Sequence, residues 1–367
     1  MLEEEIIAVL ALQKVKGIGD IIAKKLIAHC GSAKNVFAEK RALLEKINGI
    51  GSFTIKNLKD KQYFIRAEKE YKYITRNNIK ITYFQDDDFP NRLKHCPDGP
   101  ILLFQDGNIN LQNNRVISIV GARKMTNYGR DFIKQFIEEL TAYNPIIVSG
   151  FAYGVDITAQ KEAMKNKLQT IAVLAHGLEQ IYPKTHKKYI NQVNENGGFY
   201  TEFWHDEDPL REHFLKRNRI VAGISEATII IESAEKGGSL VTADIANSYS
   251  RDVFAVPGKT TDSLSKGCNN LIKWNKAGIL TSAQDLIDAL NWEVNSKQQT
   301  AVQKQLFVEL TDQEQKIYDY LLKNGKKYLD TIALDCQIPV YKMATLLFTM
   351  EMKGVVRPLQ GKLFEVV

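Results

Sequence analysis

Val116-Ile117-Ser118-Ile119-Val120-Gly121-Ala122-Arg123 is the stretch on which the fold turns. Four of its first five residues are β-branched aliphatics, and apolar side chains fall on both parities. A strand with one wet face would alternate, so this one is expected to be buried on both faces. Similar runs recur at 146–148, 170–174, 199–202, 227–231, 253–256 and 278–280. The gaps between them hold amphipathic stretches of roughly 10–15 residues, long enough for crossover helices. Strands alternating with helices predict an α/β domain with an extended Rossmann-like parallel sheet, covered by helices on both faces.

On the N-terminal side the pattern changes. Residues 79–111 carry Asp86-Asp87-Asp88, Pro90, Pro97 and Pro100 and read as an irregular connection with one edge strand at 101–104. Residues 1–75 read as short helices, with apolar positions at helical spacing in Ile6-Ile7-Val9-Leu10 and Ile21-Ile22-Leu26-Ile27. Two similar turns, Lys16-Gly17-Ile18-Gly19 and Asn48-Gly49-Ile50-Gly51, each precede a helix. On the C-terminal side, 291–310 reads as a linker. Three helices then follow at about 312–323, 328–335 and 339–353, with a hairpin turning at Gln360-Gly361. The expected domains are a helical SAM or helix-hairpin-helix-like module (1–75), the Rossmann-like domain (76–290), the linker (291–310) and a winged helix (311–367).

Composition narrows the classes. The chain has 367 residues, enough for two or three domains, and its 44% hydrophobic and 25% charged residues are those of a folded globular protein. The net charge is only +6. Residues 112–290 hold 21 basic and 20 acidic side chains, so an anion site there must be local rather than a product of the overall field. No apolar run approaches the ~18 residues of a membrane span, and the opening Met1-Leu2-Glu3-Glu4-Glu5 is acidic where a signal peptide would be basic. Cys30, Cys96, Cys268 and Cys336 form no Cys-x-x-Cys pair. The expectation is a cytoplasmic protein without a zinc site or disulfide framework.

Ligands of open parallel sheets bind beyond the carboxyl ends of the strands. Glycine recurs there: Gly121, Gly150 and Gly154, Gly177, Gly237-Gly238-Ser239 and Gly258. Such exits let backbone N–H groups approach phosphate, although at any one of them glycine can equally just turn the chain. The dinucleotide fingerprint is absent, because Gly121 is followed by Ala122 and Arg123. A P-loop ending at Gly258-Lys259-Thr260 would need glycine at 253, where Val253 lies within a strand. Arg123, two positions past the first strand, can fork onto phosphate, stack on a base, or make a rim salt bridge. Arg217 and Arg219 diverge by roughly 200° on a helix, so one can face the rim while the other pairs with an acid, with Asn218 between them. Lys184 follows Tyr182-Pro183 and is either a phosphate contact or an ordinary solvated lysine. No nucleophile–base–orienter set is visible, and no catalytic residue, metal or cofactor is expected.

The ordered motifs add a resemblance. Gly121-Ala-Arg-x4-Tyr128-Gly129 is similar to the Gly-Ser-Arg-x4-Tyr-Gly box of the DNA processing protein A (DprA/Smf) family. Val148-Ser-Gly-Phe-Ala-Tyr-Gly-Val-Asp156, Gly177-Leu-x3-Tyr182-Pro183, His213-Phe-x2-Arg217-Asn218-Arg219 and Glu232-Ser-Ala-x2-Gly-Gly-Ser239 follow in order. Val253-Phe-Ala-Val-Pro-Gly258 and Ser265-Lys-Gly-Cys-Asn269 complete the series, which covers about 110–275. The resemblance implies a non-enzymatic binder of single-stranded DNA that protects incoming strands in natural transformation, loads the RecA recombinase and forms a homodimer. It carries DNA contact onto Arg123, Lys184, Arg217, Asn218 and Arg219. The rim residues Gly121, Ala122, Gly150, Phe151, Tyr153, Gly154, Gly238 and Ser239 complete the expected DNA-binding set, with Tyr153 or Phe151 stacking a base. Ala122 replaces the family's Ser, Tyr153 stands where the family has Arg, and His176 where it has Gly or Cys. The winged helix, with only Lys342 and Lys353 as basic residues on its third helix, suits a protein contact better than duplex DNA. A Rossmann-like nucleotide sugar-phosphate hydrolase, with Glu232 and Gly237-Gly238 on the ribose phosphate, is the rival reading.

Overall fold

Strand β3 (Val116–Val120) shows why its sequence is continuously apolar: Val116 and Val120 enter the core on one side of the sheet, Ile117 and Ile119 the core on the other. Each such side chain, fully buried, contributes on the order of 1.5–3 kcal/mol. The exception, Ser118, is buried with its hydroxyl donated to the Val221 carbonyl at 2.6 Å. The computed structural model describes residues 2–47, 49–113, 115–293, 310–359 and 363–366. Its contacts divide the chain into two units, Met1–Val294 and Asn295–Val367.

The first unit is built on a nine-stranded sheet. With β1 (Lys80–Tyr83), β2 (Leu102–Gly107), β4 (Ile146–Ser149), β5 (Thr170–Val173), β6 (Gly197–Thr201), β7 (Ala227–Ile230), β8 (Asp252–Ala255) and β9 (Gly278–Ile279), the order is β1-β2-β6-β5-β4-β3-β7-β8-β9. Pairing is parallel from β6 through β9; β1 with β2 and β2 with β6 are antiparallel. The region expected to be irregular therefore holds two strands, and 101–104 is not at the edge, since β1 covers it. Lys-Ile-Thr-Tyr is too short a run to stand out in sequence.

Helices α1 to α6 are Glu3–Lys14, Asp20–Cys30, Ala33–Ala38, Arg41–Leu44, Ser52–Asn57 and Gln62–Arg76, and α7 is Asn91–Lys94. Then come α8 (Asn127–Glu139), α9 (Val155–Lys165), α10 (Ile190–Glu195), α11 (Arg211–Ile224), α12 (Gly238–Ser248), α13 (Lys266–Lys273) and α14 (Ala283–Ala289). Side chains of α8, α9 and α14 fill the core on one face of the sheet; those of α11, α12 and α13 fill the other. Helices α1, α2 and α6 share a core with Tyr83, Ile101, Leu102, Phe104 and Trp204, so the helical N-terminal region packs directly on the antiparallel end of the sheet. Polar contacts reinforce this junction: Trp204 Nε1 donates to Gln13 Oε1 at 2.8 Å, and Lys14 pairs with Glu207.

The second unit contains α15 (Asp312–Asn324), α16 (Leu329–Asp335) and α17 (Val340–Met352) with a three-stranded antiparallel sheet. Its strands β10 (Lys327–Tyr328), β11 (Val356–Leu359) and β12 (Leu363–Val366) lie in the order β10-β12-β11. Ile317, Leu321, Ile332, Met343, Leu347 and Val356 form its core. The expected turn at Gln360-Gly361, most of the expected linker and Asn48 of the second Gly-Ile-Gly turn lie outside the described residues. Among the described residues no helix is long and apolar enough to cross a membrane.

Candidate nucleic-acid interface

The chain crosses the sheet from β3 to β6 in one direction and then returns to the other side of β3 with β7. The exits of β3 and β7 therefore diverge, leaving the crevice in which such sheets receive ligands. A cleft of about 600 Å³ opens there. Gly121, Ala122, Arg123 and Lys124 follow β3 into it, and Gly150 follows β4. Gly238 and Ser239 begin α12, and Arg217 and Asn218 reach in from α11. An adjoining cleft shares Arg123 and Lys124 and is lined further by Arg130, Tyr153 and Gly154.

The loops are fixed by close backbone packing. Ala122 N–H donates to the Glu232 carbonyl at 2.7 Å, and Val155 N–H to the Ala122 carbonyl at 3.2 Å. Gly154 has φ +75°, and a Cβ there would lie 2.2 Å from the Ala122 carbonyl oxygen. Its glycine thus serves the contact between two strand exits. Gly238 differs: a Cβ there would meet nothing within 4 Å.

Arg217 is the buried cation of the cleft, 4% exposed. Its Nη1 donates to the Gly150 carbonyl at 2.7 Å and to the Val173 carbonyl. The guanidinium lies flat against Gly150, where a Cβ would fall 2.5 Å from Nη1 and Nη2. Burial pushes its pKa down to about 10, Asp156 pulls the other way, and Arg123 adds to the lowering; the group is charged at neutral pH. Asp156, at the start of α9, accepts from the N–H groups of Gly150 at 3.1 Å and Ala152 at 3.4 Å. Burial raises its pKa against the pull of Arg217 and those donors. Arg123 is exposed, its guanidinium carbon 5.3 Å from the centre of the Phe214 ring, with that of Arg217 at 5.9 Å from the same ring. Tyr182 packs edge-on against Phe214 at 5.6 Å. Two cations and an exposed tyrosine thus converge on one ring.

Three expected contacts lie elsewhere. Phe151 cannot stack a base: it is fully buried at φ +57°, packed edge-on against Phe199 and His186. Arg219 faces away from the cleft, because two residues of helix turn it to the opposite side. There it binds Glu202 at 2.5 Å, Asp20 at 3.1 Å and the Asp98 carbonyl. Lys184 is exposed at the start of the 3₁₀ turn Lys184–Tyr189 and lines neither cleft. Tyr153 is 43% exposed and keeps an accessible ring, its hydroxyl accepting from Thr185 Oγ1 at 3.2 Å.

The histidines near the rim are structural. His176 Nε2 accepts from Tyr182 N–H at 3.2 Å, next to the cis Tyr182–Pro183 bond, and His186 Nδ1 bonds the Phe151 carbonyl at 2.9 Å. Burial lowers the pKa of both. Glu232 is also spent: its carboxylate accepts from Thr126 N–H at 2.8 Å and from the Thr126 hydroxyl, at the N-terminus of α8. It does not line the cleft. Sequence reasoning missed Lys124, Arg130, Lys236 and Phe214. Phe214 sits one helical turn before Arg217, inside a box already singled out; the lysines carry no sequence signal that separates them from solvated ones.

A model of the family described as DNA recombination-mediator protein A matches residues 80–291, the whole large sheet and its crevice. The chain belongs to the DNA recombination-mediator protein A family. The DNA processing protein DprA of Streptococcus pneumoniae is 38% identical over 202 residues, 55% of this chain and 71% of that one. Protein Smf of Synechocystis is 30% identical over 285 residues, 77% and 71% of the two chains. The X-ray structure of the S. pneumoniae protein superposes with a TM-score of 0.65 at 28% identity, covering 78% of this chain and 98% of that one. DNA processing protein A from Helicobacter pylori, whose structure is described for its single-stranded DNA binding mode, gives 0.53 at 29% identity, covering 58% and 98%. In this chain the segment matched by the family runs from β1 to just past the end of α14. It leaves outside all of α1–α6 and the whole second unit.

Proposed function

We propose that the chain is a single-stranded DNA binder that takes the strand into the crevice between the β3 and β7 exits. We propose further that it acts there as a non-enzymatic recombination mediator. In this reading it is a cytoplasmic homodimer that protects incoming strands in natural transformation and hands them to the RecA recombinase. The carrying observation is the stack of Arg123 and Arg217 about Phe214 over a cleft in a domain that is otherwise nearly neutral. A local pair of cations suits a phosphate chain, and an aromatic ring offers a base-stacking platform indifferent to sequence. The H. pylori relative described for its single-stranded DNA binding supports the same ligand class. The hydrolase reading is not favoured, because the Glu232 carboxylate is already committed to Thr126.

Fluorescence anisotropy of labelled oligo-dT against a duplex of equal length, over a salt series, tests the proposal. The expected result is a single-strand preference that salt weakens. Arg123→Ala is expected to lose affinity about equally for every sequence, and its salt slope to fall by about 0.7 for the one phosphate contact removed. Unchanged binding in Arg123→Ala would remove that residue from the interface.

A further inference from the structure

A second cationic surface lies on the same carboxyl rim of the sheet, beyond β6. A cavity of about 510 Å³ opens between α6 and residues 204–206. Arg66, Lys69, Lys72 and Arg76 line it from α6. Their spacing of three, three and four puts all four on one helical face, a row about 15 Å long. All four are exposed, and among the described residues none is in an ion pair.

The floor of the cavity is tied together by hydrogen bonds and a ring stack. Glu70, 2% exposed, accepts from His205 N–H at 3.0 Å and bonds His205 Nδ1. The His205 ring stacks on Tyr73 at 3.8 Å. Glu70, His205 and Asp206 bring ligand atoms within 4.8 Å of one another, a spacing open to a divalent cation. The surroundings decide against one: the His205 nitrogen nearest the carboxylate is already bonded to it, and four unpaired cations edge the cavity. The acids facing them are Glu70, satisfied by His205, the exposed Asp206, and Glu179, 4.0 Å from His205 Nε2. The cavity is thus lined by four cations against two acids, one of them buried.

We propose that this face is a second DNA-backbone site, which takes the phosphates of a single strand leaving the crevice; the inference rests on the crevice reading above. A row of about 15 Å is longer than one isolated phosphate and spans more than one charge of a nucleic-acid strand, whose charges lie about 3.4 Å apart along each strand of a duplex and further apart along an extended single strand. The two sites lie on opposite sides of the run from β6 to β3, which is itself three strand spacings or about 14 Å wide. The rim between them is aromatic and cationic: Tyr182 meets Phe214, Phe203 stacks on His213 at 4.2 Å, and Lys14 and Arg66 cover Trp204 at 4.9 and 5.6 Å. A strand that fills only the crevice is too short to reach α6.

The test compares an oligo-dT of about 4 nucleotides, at the short end of single-strand site sizes, with one of about 20, beyond their long end. It uses the full chain and the triple variant Lys69→Gln, Lys72→Gln, Arg76→Gln. Arg66 is left in place because it covers Trp204. The variant is expected to bind the short strand like the unmodified protein. For the long strand it is expected to lose roughly tenfold or more in affinity, with a salt slope lower by about 2 for three lost phosphate contacts. The charge-keeping Lys69→Arg, Lys72→Arg protein retains long-strand affinity. Equal long-strand affinity and slope in variant and unmodified protein would overturn the second site, as would an equal loss for both lengths. A failure of the crevice reading looks different: short-strand binding is then absent or insensitive to Arg123→Ala, whatever α6 does.

Discussion

Arg217 and Arg219 lie two residues apart on α11 and are both nearly buried, yet their neighbours give them opposite tasks. Arg217 faces the crevice, held by two backbone carbonyls and faced by the single acid Asp156. Desolvation dominates, and its pKa falls. Arg219 faces the antiparallel end of the sheet. Desolvation acts there too, but Glu202, Asp20 and Asp98 outweigh it and its pKa rises. A cation whose neutralisation is incomplete is poised for an external anion; one surrounded by acids is a structural tie. Here the tie joins the helical region to the sheet, since Asp20 opens α2 and Glu202 follows β6.

The largest expected effect breaks that tie. Arg219→Met leaves Glu202 and Asp20 without their main partner, and removing one member of a buried pair costs about 3–5 kcal/mol. Lys216, 2.8 Å from Glu202, offsets part of this. Urea unfolding is expected to show the loss, while the folded fraction binds oligo-dT with unchanged affinity. A variant of normal stability that no longer binds DNA would reverse the roles assigned to the two arginines.

A smaller effect is expected on the other arginine without touching it. Gly150 has a backbone conformation open to any residue, but its Cα is the surface on which the Arg217 guanidinium rests. Gly150→Ala drives the guanidinium off the Gly150 and Val173 carbonyls. Losing one charge-assisted contact to DNA is worth about 1.5–3 kcal/mol, hence a ten- to hundredfold drop in affinity. Anisotropy measures it, and Gly150→Ser is expected to behave alike. Full affinity in Gly150→Ala would mean that Arg217 does not reach the strand.

The two arginines also mark how far the sequence could be read. Hydrophobic runs placed seven strands of the large sheet; for β3 to β8 this is because strands buried on both faces leave a nearly unbroken apolar signature, whereas both residues of β9 are exposed. The helical offset between 217 and 219 was enough to expect one rim residue and one paired residue. Which was which depended on Asp20 and Glu202, acids 199 and 17 residues distant in the chain, and no local pattern reports such partners. Phe151 misled for a related reason: it stands in a rim motif, but its left-handed backbone turns the ring into the core. The row on α6 was visible as charge, but not as a site, because the loop that completes its cavity lies more than 120 residues further on.

The smallest effect concerns Asp156, the acid that makes the comparison one of degree. Asp156→Asn keeps an oxygen acceptor for the Gly150 and Ala152 N–H groups and removes one negative charge beside Arg217. At neutral pH the variant is expected to bind oligo-dT roughly two- to threefold more tightly, a gain that fades as salt screens it. The pH dependence carries the same sign. Burial lifts the Asp156 pKa above the ordinary value of about 3.9, so the folded chain takes up this proton at a higher pH than the unfolded chain does. The stability linked to that proton is present at low pH and lost as pH rises through the folded pKa, so neutralising Asp156 does not itself unfold the protein. Binding by the unmodified protein is expected to strengthen as pH falls through the window just above the ordinary aspartate range, while Asp156→Asn stays flat there. Weaker binding by Asp156→Asn would mean that the carboxylate is needed to aim Arg217. Arg217 would then depend on its acid partner as Arg219 does, and incomplete neutralisation would no longer be what separates them.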